Sequence, residues 1–143
     1  MKLEKILKEI SYISKNIQND REIVGVSSNS KEIKKDFIFV AIKGFEFDGH
    51  NYIENALENG ASTIVYTKDD LEFKSGINYI KVEDARLALA EISNFLSDFP
   101  SKSFRMIGVT GTNGKTTTAN MIYFLLNELG YSCANIGTDG AFF

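Results

Sequence analysis

The feature that most constrains the fold of this chain is the stretch GVTGTNGKTTT, residues 108–118 of 143. The apolar run FRMIGV leads into it, and a pattern typical of a helix runs from Lys115 to Leu129. Glycine at 111 and 114 lets the backbone turn tightly between these two elements. Gly130 would end the helix, and the following SCANIGT predicts another strand. The stretch therefore predicts a βαβ unit of a parallel sheet, which places the chain in the α/β class.

The residues before this loop predict a separate, small α/β domain. LEKILKEISYISKNI spaces its apolar residues as an amphipathic helix does. Helices are also expected near residues 51–59 and from an N-cap at Asp84 to about Phe99. The segments that predict strands are REIVGVSSNS, FIFVAI, STIVYT and INYIKV.

The domain boundary is expected at Pro100, the only proline, where the composition turns polar. Residues 1–100 then form the first domain. Residues 101–143 form the beginning of a larger parallel-sheet domain, because one βαβ unit leaves a strand face and strand edges uncovered.

Composition excludes several classes of function. Hydrophobic residues make up 43% of the chain and charged residues 24%, which is typical of a folded domain. The net charge is −3, and the lysines and arginines are not clustered, so nucleic acid is not an expected partner. The single cysteine and the lack of a secretory or membrane-spanning pattern predict a cytoplasmic protein that does not bind a membrane.

The Gly/Thr loop has the residue types that bind nucleotide phosphates. Its backbone N–H groups and the start of the following helix would form an anion-binding cradle. The Lys115 side chain can reach the outer phosphates, and the Thr116 hydroxyl is placed to hold Mg²⁺. The predicted ATP-binding residues are Gly111, Thr112, Asn113, Gly114, Lys115, Thr116 and Thr117. Val109 departs from the usual motif, which has glycine at that position, and a simple turn with a solvated lysine is the alternative.

Together with the upstream segment SSNSKEIKKDFIFVAIKGFEFDGHNYIENALENGAS, the loop resembles the Mur ligases, ATP-dependent enzymes of peptidoglycan precursor synthesis. The resemblance runs from about Val24 to Asp139. In that family the upstream motifs are written DSR, GDLFVAxxG and DGHxFxxxAxxxGA. The GTNGKT and NIGTDG segments favour the branch that adds the third residue of the peptide stem. The resemblance thus implies a UDP-substrate-binding domain followed by an ATP-binding domain.

The resemblance assigns roles to particular positions. Ser30 matches the serine that contacts the uridine part of the substrate, and Phe45, Glu46 and Phe47 match the loop around the uracil. Lys115 is the catalytic residue that this chain supplies. Asn29 and Lys31 stand where the family motif has aspartate and arginine, and an ion pair between those two is therefore not expected here.

From the residues alone, other roles stay open for the aromatic side chains and for the histidine. Phe45 and Phe47 could instead fill a small core under their loop. His50, the only histidine, is expected to stabilise a loop or cap a helix rather than act as an acid or base.

The implied reaction joins a diamino acid, such as lysine or diaminopimelate, to UDP-N-acetylmuramoyl-L-alanyl-D-glutamate through an acyl phosphate, with ATP and Mg²⁺. One alternative is the ligase that adds D-alanyl-D-alanine, and another is a uridine-nucleotide or phosphate-binding module without catalysis. Downstream of the loop the only carboxylates are Glu128 and Asp139, neither well placed as a second magnesium ligand. The expectation is that the rest of the ligase lies beyond Phe143 and that this chain is an inactive fragment.

Overall fold

The computed structural model describes residues 1–143 as two compact units, Met1–Ser103 and Phe104–Phe143. The first unit contains three α-helices, α1 (Leu3–Ile6), α2 (Ile53–Glu58) and α3 (Ala85–Leu96). Its five strands are β1 (Ser14–Asn16), β2 (Gly25–Ser27), β3 (Phe37–Val40), β4 (Ala61–Tyr66) and β5 (Asn78–Lys81). Short 3₁₀ helices cover Ser30–Glu32, Gly49–Tyr52 and Pro100–Lys102. None of the helices has the length and hydropathy needed to cross a membrane.

The five strands form one sheet in the order β1-β5-β4-β3-β2. Strands β2 to β5 are parallel, and β1 runs antiparallel along β5 at the edge. The predicted α/β class with a mostly parallel sheet is therefore confirmed. Because the four parallel strands end at one edge of the sheet, the loops that follow them gather there.

Both faces of the sheet are covered, which explains why β4 is buried at every position. On one face, α1 and α3 pack over Ile38, Val40, Val65 and Ile80. On the other face, α2 packs with Ile33, Phe39, Ile64 and Tyr79. A strand buried on both faces appears in the sequence as a continuous apolar run, as STIVYT and FIFVAI do.

The prediction of one long N-terminal helix is wrong beyond its first turns. Leu3, Ile6, Leu7 and Ile10 are buried, as their helical spacing predicts, but α1 ends at Ile6. Residues 14–16 instead pair with β5, and the Ile13 N–H group donates to the Lys81 carbonyl oxygen (2.8 Å). The unpaired edge of β5 outweighs the helical preference of this segment because strand pairing satisfies its backbone groups.

Asp84 caps α3 as the sequence predicts, since its Oδ1 atom accepts hydrogen bonds from the N–H groups of Arg86 (2.8 Å) and Leu87 (3.1 Å). Replacing Asp84 by alanine is expected to lower the free energy of unfolding by about 1 kcal/mol. Urea denaturation would measure this loss. Asp84→Asn is the control and should retain most of the stability, because asparagine also caps helices. Equal stability of the alanine variant and the parent would contradict the capping role.

The second unit contains helix α4 (Lys115–Glu128) and a hairpin of β6 (Asn135–Gly137) and β7 (Gly140–Phe142). The two strands are antiparallel, and residues 104–109 form no strand. The predicted parallel βαβ unit is therefore not formed. FRMIGV has the composition of a buried strand, but no other segment of this unit pairs with it, and a strand needs such a partner for its backbone groups. None of the residues in α4 is fully buried.

Candidate functional site

The loop after β2 places Ser30 at the carboxyl edge of the sheet. Ser30 begins a 3₁₀ helix and is buried (7% exposed), and its carbonyl oxygen accepts a hydrogen bond from Asn59 Nδ2 (2.9 Å). Asn29 caps this helix, since its Oδ1 atom accepts from the Lys31 N–H group (3.1 Å). Asn29 Nδ2 also donates to Glu32 Oε1 (3.2 Å). An asparagine therefore organises the loop through Glu32 without an ion pair between positions 29 and 31.

The loop after β3, residues 43–48, projects its aromatic side chains into solvent. Phe45 is fully exposed and Phe47 is 67% exposed, so the alternative that they fill a small core is wrong. The Gly44 N–H group donates to the Phe47 carbonyl oxygen (2.8 Å) and closes the turn, and at the base of the loop the backbones of Lys43 and Asp48 form an antiparallel bridge. Glu46, at its tip, is also exposed. Exposed aromatic rings beside free backbone groups suit a flat heterocyclic base.

His50 fastens this loop to the end of β4. The imidazole is buried, with Nδ1 2.6 Å from Asp48 Oδ1 and Nε2 3.2 Å from the Thr67 N–H nitrogen. A backbone N–H group can only donate, so Nε2 carries no proton and Nδ1–H donates to Asp48. The prediction that His50 stabilises a loop is confirmed. His50 itself lies within the 3₁₀ helix Gly49–Tyr52, and the residue that caps this helix is Asp48.

Asp48 is the charged centre of this arrangement. Its Oδ2 atom lies 2.9 Å from Lys68 Nζ, and its Oδ1 atom also accepts from the His50 N–H group (3.0 Å). The hydrogen bond from Lys68, followed by that from the His50 backbone, holds the pKa of Asp48 well below its ordinary value. The resulting stability is present above the pKa that Asp48 has in the unfolded chain, and it is lost as the pH falls through the lower folded pKa.

A cavity of about 490 Å³ opens at the same edge, outside the ends of β3, β4 and β5. It is lined by Ile42, Lys43, Thr67, Glu83, Asp84, Ala85 and Arg86. The Arg86 guanidinium donates a long hydrogen bond to the Lys43 carbonyl oxygen (3.4 Å). Lys43 belongs both to the lining of this cavity and to the 43–48 loop.

The Gly/Thr loop lies in the second unit and leads into α4. Gly114 is the N-cap residue of α4 with φ 76°, a left-handed conformation that strains any residue with a Cβ atom. The first helical hydrogen bond runs from the Thr118 N–H group to the Gly114 carbonyl oxygen (2.9 Å), and no side chain caps the helix. The N–H groups of Lys115, Thr116 and Thr117 are thus left for an external acceptor.

The Lys115 side chain folds over this loop. Its Nζ atom donates to the carbonyl oxygens of Gly111 (2.6 Å) and Thr112 (3.3 Å). Both bonds are exposed to solvent, and Lys115 is the first residue of the helix whose N–H groups are free. An incoming phosphate would therefore meet a positive charge at the helix terminus.

Thr116, the second residue of α4, is exposed and contributes one hydroxyl oxygen. No group of three or more histidine, cysteine, aspartate or glutamate side chains could hold a metal ion in this chain. A single hydroxyl fits Mg²⁺, which usually takes one or two protein ligands and completes its shell with phosphate oxygens and water. The single Thr116 hydroxyl would not be enough to hold a metal ion that is coordinated by protein side chains alone.

Two family models match the chain. Residues 22–96 match the model described as the Mur ligase family, catalytic domain, and residues 109–142 match the Mur ligase middle domain. One relative, UDP-N-acetylmuramoyl-L-alanyl-D-glutamate--2,6-diaminopimelate ligase 2 of Clostridium acetobutylicum, is 39% identical over 98% of this chain. The chain spans only 29% of the length of that relative.

Solved structures agree with this match. The MurF ligase of Thermotoga maritima in complex with ADP is 36% identical and superposes on 72% of the chain, which covers 23% of that protein, with a TM-score of 0.53. A UDP-N-acetylmuramoyl-L-alanyl-D-glutamate--2,6-diaminopimelate ligase superposes on 99% of the chain, which covers 28% of that protein, with a TM-score of 0.74. The latter is 24% identical and so supports the fold alone.

Proposed function

Because the chain belongs to the Mur ligase family, we propose that it supplies the uridine-binding and ATP-binding loops of an ADP-forming ligase of peptidoglycan precursor synthesis. The substrate is UDP-N-acetylmuramoyl-L-alanyl-D-glutamate, and the amino acid added is a diamino acid. The names of the relatives favour 2,6-diaminopimelate over lysine. They also favour this branch over the ligase that adds D-alanyl-D-alanine. Nucleotide substrates are consistent with a cytoplasmic location.

The observation that carries the ATP part is the uncapped start of α4 with the Lys115 ammonium beside it. In the proposed reaction, the terminal carboxylate of the UDP-linked dipeptide attacks the γ-phosphorus of ATP and displaces ADP. The amine of the incoming amino acid then attacks the acyl phosphate, loses a proton, and expels inorganic phosphate. Lys115 and the free N–H groups of α4 hold the β- and γ-phosphates and neutralise their charge. Mg²⁺, when bound at the Thr116 hydroxyl, would supply further charge neutralisation.

The uridine part rests on the exposed aromatic loop and on Ser30. Phe45 and Phe47 offer two faces for a pyrimidine ring, and the Ser30 hydroxyl supplies a donor and acceptor at the same edge of the sheet. The edge carries lysines and carboxylates together, which suits a ligand with both hydroxyl and phosphate groups. A module that binds uridine nucleotides without catalysis would use the same loops.

Replacing Phe45 by alanine is expected to weaken UDP binding about tenfold, because stacking of a base on an aromatic side chain contributes about 1–3 kcal/mol. The loss should occur without a change in stability, since Phe45 has no packing contacts to lose. Isothermal titration calorimetry with UDP measures the affinity, and urea denaturation measures the stability.

Ser30→Ala should weaken UDP binding by a smaller factor, about threefold to tenfold, as expected for one hydrogen bond. The matched control is Ser97→Ala, an exposed serine at the far end of α3. It should bind UDP as the parent does. No heat with millimolar UDP in the parent protein, or equal affinities for all these variants, would refute the uridine assignment.

A further inference from the structure

His50 is buried at a position where neither of its ring nitrogens is free. The ring donates through Nδ1 to Asp48 and accepts through Nε2 from the Thr67 N–H group. The Thr67 hydroxyl oxygen lies farther from Nε2, at 3.4 Å. With both nitrogens engaged, the imidazole has no lone pair with which to take a proton from a substrate. The geometry therefore excludes His50 as a general base in this conformation. A buried imidazole with two hydrogen bonds instead suggests a structural role for this side chain.

The two partners of the imidazole belong to different strands' loops. Asp48 closes the aromatic loop after β3, whereas Thr67 is the first residue after β4. A second link joins the same two segments, because Lys68 Nζ lies 2.9 Å from Asp48 Oδ2. The Gly49 N–H group also donates to the Ile42 carbonyl oxygen (2.8 Å), so the base of the loop is held on the side of β3 as well.

The tip of the loop has few contacts of its own. Phe45, Glu46 and Phe47 are exposed, and one backbone hydrogen bond, from Gly44 to Phe47, closes the turn. The direction in which the tip projects is therefore set from its base. Of the groups at the base, the imidazole is the buried one that joins the loop to the neighbouring strand.

We infer that His50, as its neutral Nδ1–H tautomer, is a positioning residue that aims the 43–48 loop at the uridine of the substrate. This inference rests on the proposed function for the identity of the ligand. It goes beyond that function because it makes the affinity for uridine nucleotides depend on a residue that does not contact the ligand. Loss of either hydrogen bond should let the loop base shift and weaken binding.

Three replacements separate the two hydrogen bonds. His50→Asn places an amide near the Nδ1 position and can keep the bond to Asp48. His50→Gln reaches the Nε2 position and can keep the bond to Thr67. His50→Ala loses both. Calorimetry with UDP should show about a tenfold loss of affinity for the alanine variant, which loses both hydrogen bonds. The losses for the asparagine and glutamine variants should be smaller, because each loses only one.

Asn78→Ala is the matched control for a purely structural role. Asn78 is at least as deeply buried as His50. It begins β5, at the opposite edge of the parallel strands from the 43–48 loop, and its side chain forms hydrogen bonds with the backbone of Gln18 and Asn19. This variant should lose stability yet bind UDP with the parent's affinity. The His50 inference is overturned if His50→Ala, folded by circular dichroism, also binds UDP as tightly as the parent.

NMR spectroscopy of the imidazole tests the role of His50 without the use of UDP. His50 is the only histidine, so the imidazole ¹⁵N spectrum contains one ring, and it should show a protonated Nδ1 and an unprotonated Nε2. His50→Ala should also change the amide chemical shifts of residues 44–47. If the parent does not bind UDP, the uridine assignment fails. In that case the tautomer and the loop shifts still decide whether His50 holds the loop, and an Nε2–H tautomer or unchanged shifts would refute it.

Discussion

Replacing Phe39 by alanine is expected to lower the free energy of unfolding by about 3–5 kcal/mol, the largest stability effect that we anticipate for a single side chain. Phe39 lies on β3, paired on both sides with β2 and β4, and is completely buried. Its ring belongs to the core that α2 covers, with Ile64 and Tyr79. Truncation removes buried apolar surface and leaves a cavity between the sheet and α2. Because β3 is hydrogen-bonded to a strand on each side, its backbone cannot move to fill that cavity. Urea denaturation followed by circular dichroism measures the loss.

Phe47→Ala is the matched control, because Phe47 lies in the loop that follows the same strand but is mostly exposed. Its replacement should change the stability by no more than about 0.5 kcal/mol. If Phe39→Ala leaves too little folded protein to measure, Phe39→Leu should show a smaller loss in the same direction. Equal stabilities of the Phe39 and Phe47 variants would contradict the burial of Phe39 between β2 and β4.

Replacing Lys115 by methionine is expected to weaken ATP binding about 10–100-fold, because charge-assisted hydrogen bonds contribute about 1.5–3 kcal/mol each. Methionine retains the length of the side chain and removes the charge. The loss should be larger for ATP than for AMP, since the ammonium group reaches the outer phosphates. Calorimetry in the presence of Mg²⁺ measures both affinities.

The control for this prediction is Lys5→Met, which removes an exposed ammonium from α1 in the first unit. That variant should bind ATP as the parent does. The phosphate-binding role of the Gly/Thr loop would be contradicted by unchanged ATP affinity in Lys115→Met. An equal loss for AMP and ATP would argue that the lysine acts on the structure of the loop and not on the outer phosphates.

The sequence predicted those parts of the fold whose signals are local. The apolar runs that became β3 and β4, the cap at Asp84 and the tight turn at Gly114 before α4 were all found where their patterns indicate. Each of these signals depends on a few neighbouring residues and on a known conformational preference. The same holds for the glycine-rich loop, whose position before a helix follows from its composition.

The parts that could not be predicted depend on contacts distant in the chain. Residues 14–16 form a strand only because β5 offers an unpaired edge, and FRMIGV forms none because its own unit offers no partner. The role of Asn29 was hidden for a similar reason, since its partner Glu32 could be recognised only once the loop was folded. For His50, the sequence indicated a loop-stabilising residue, but not that the ring joins Asp48 to Thr67.

We propose that this chain has two separate nucleotide sites, one for uridine at the edge of the sheet and one for ATP at the start of α4. The direct test is a calorimetric titration with UDP, first alone and then with the protein saturated with ATP and Mg²⁺, in the parent and in Lys115→Met. We expect UDP affinity to be the same in all of these titrations. Loss of the UDP signal on saturation with ATP, or in the Lys115 variant, would show that both nucleotides occupy the Gly/Thr loop and would contradict the claim.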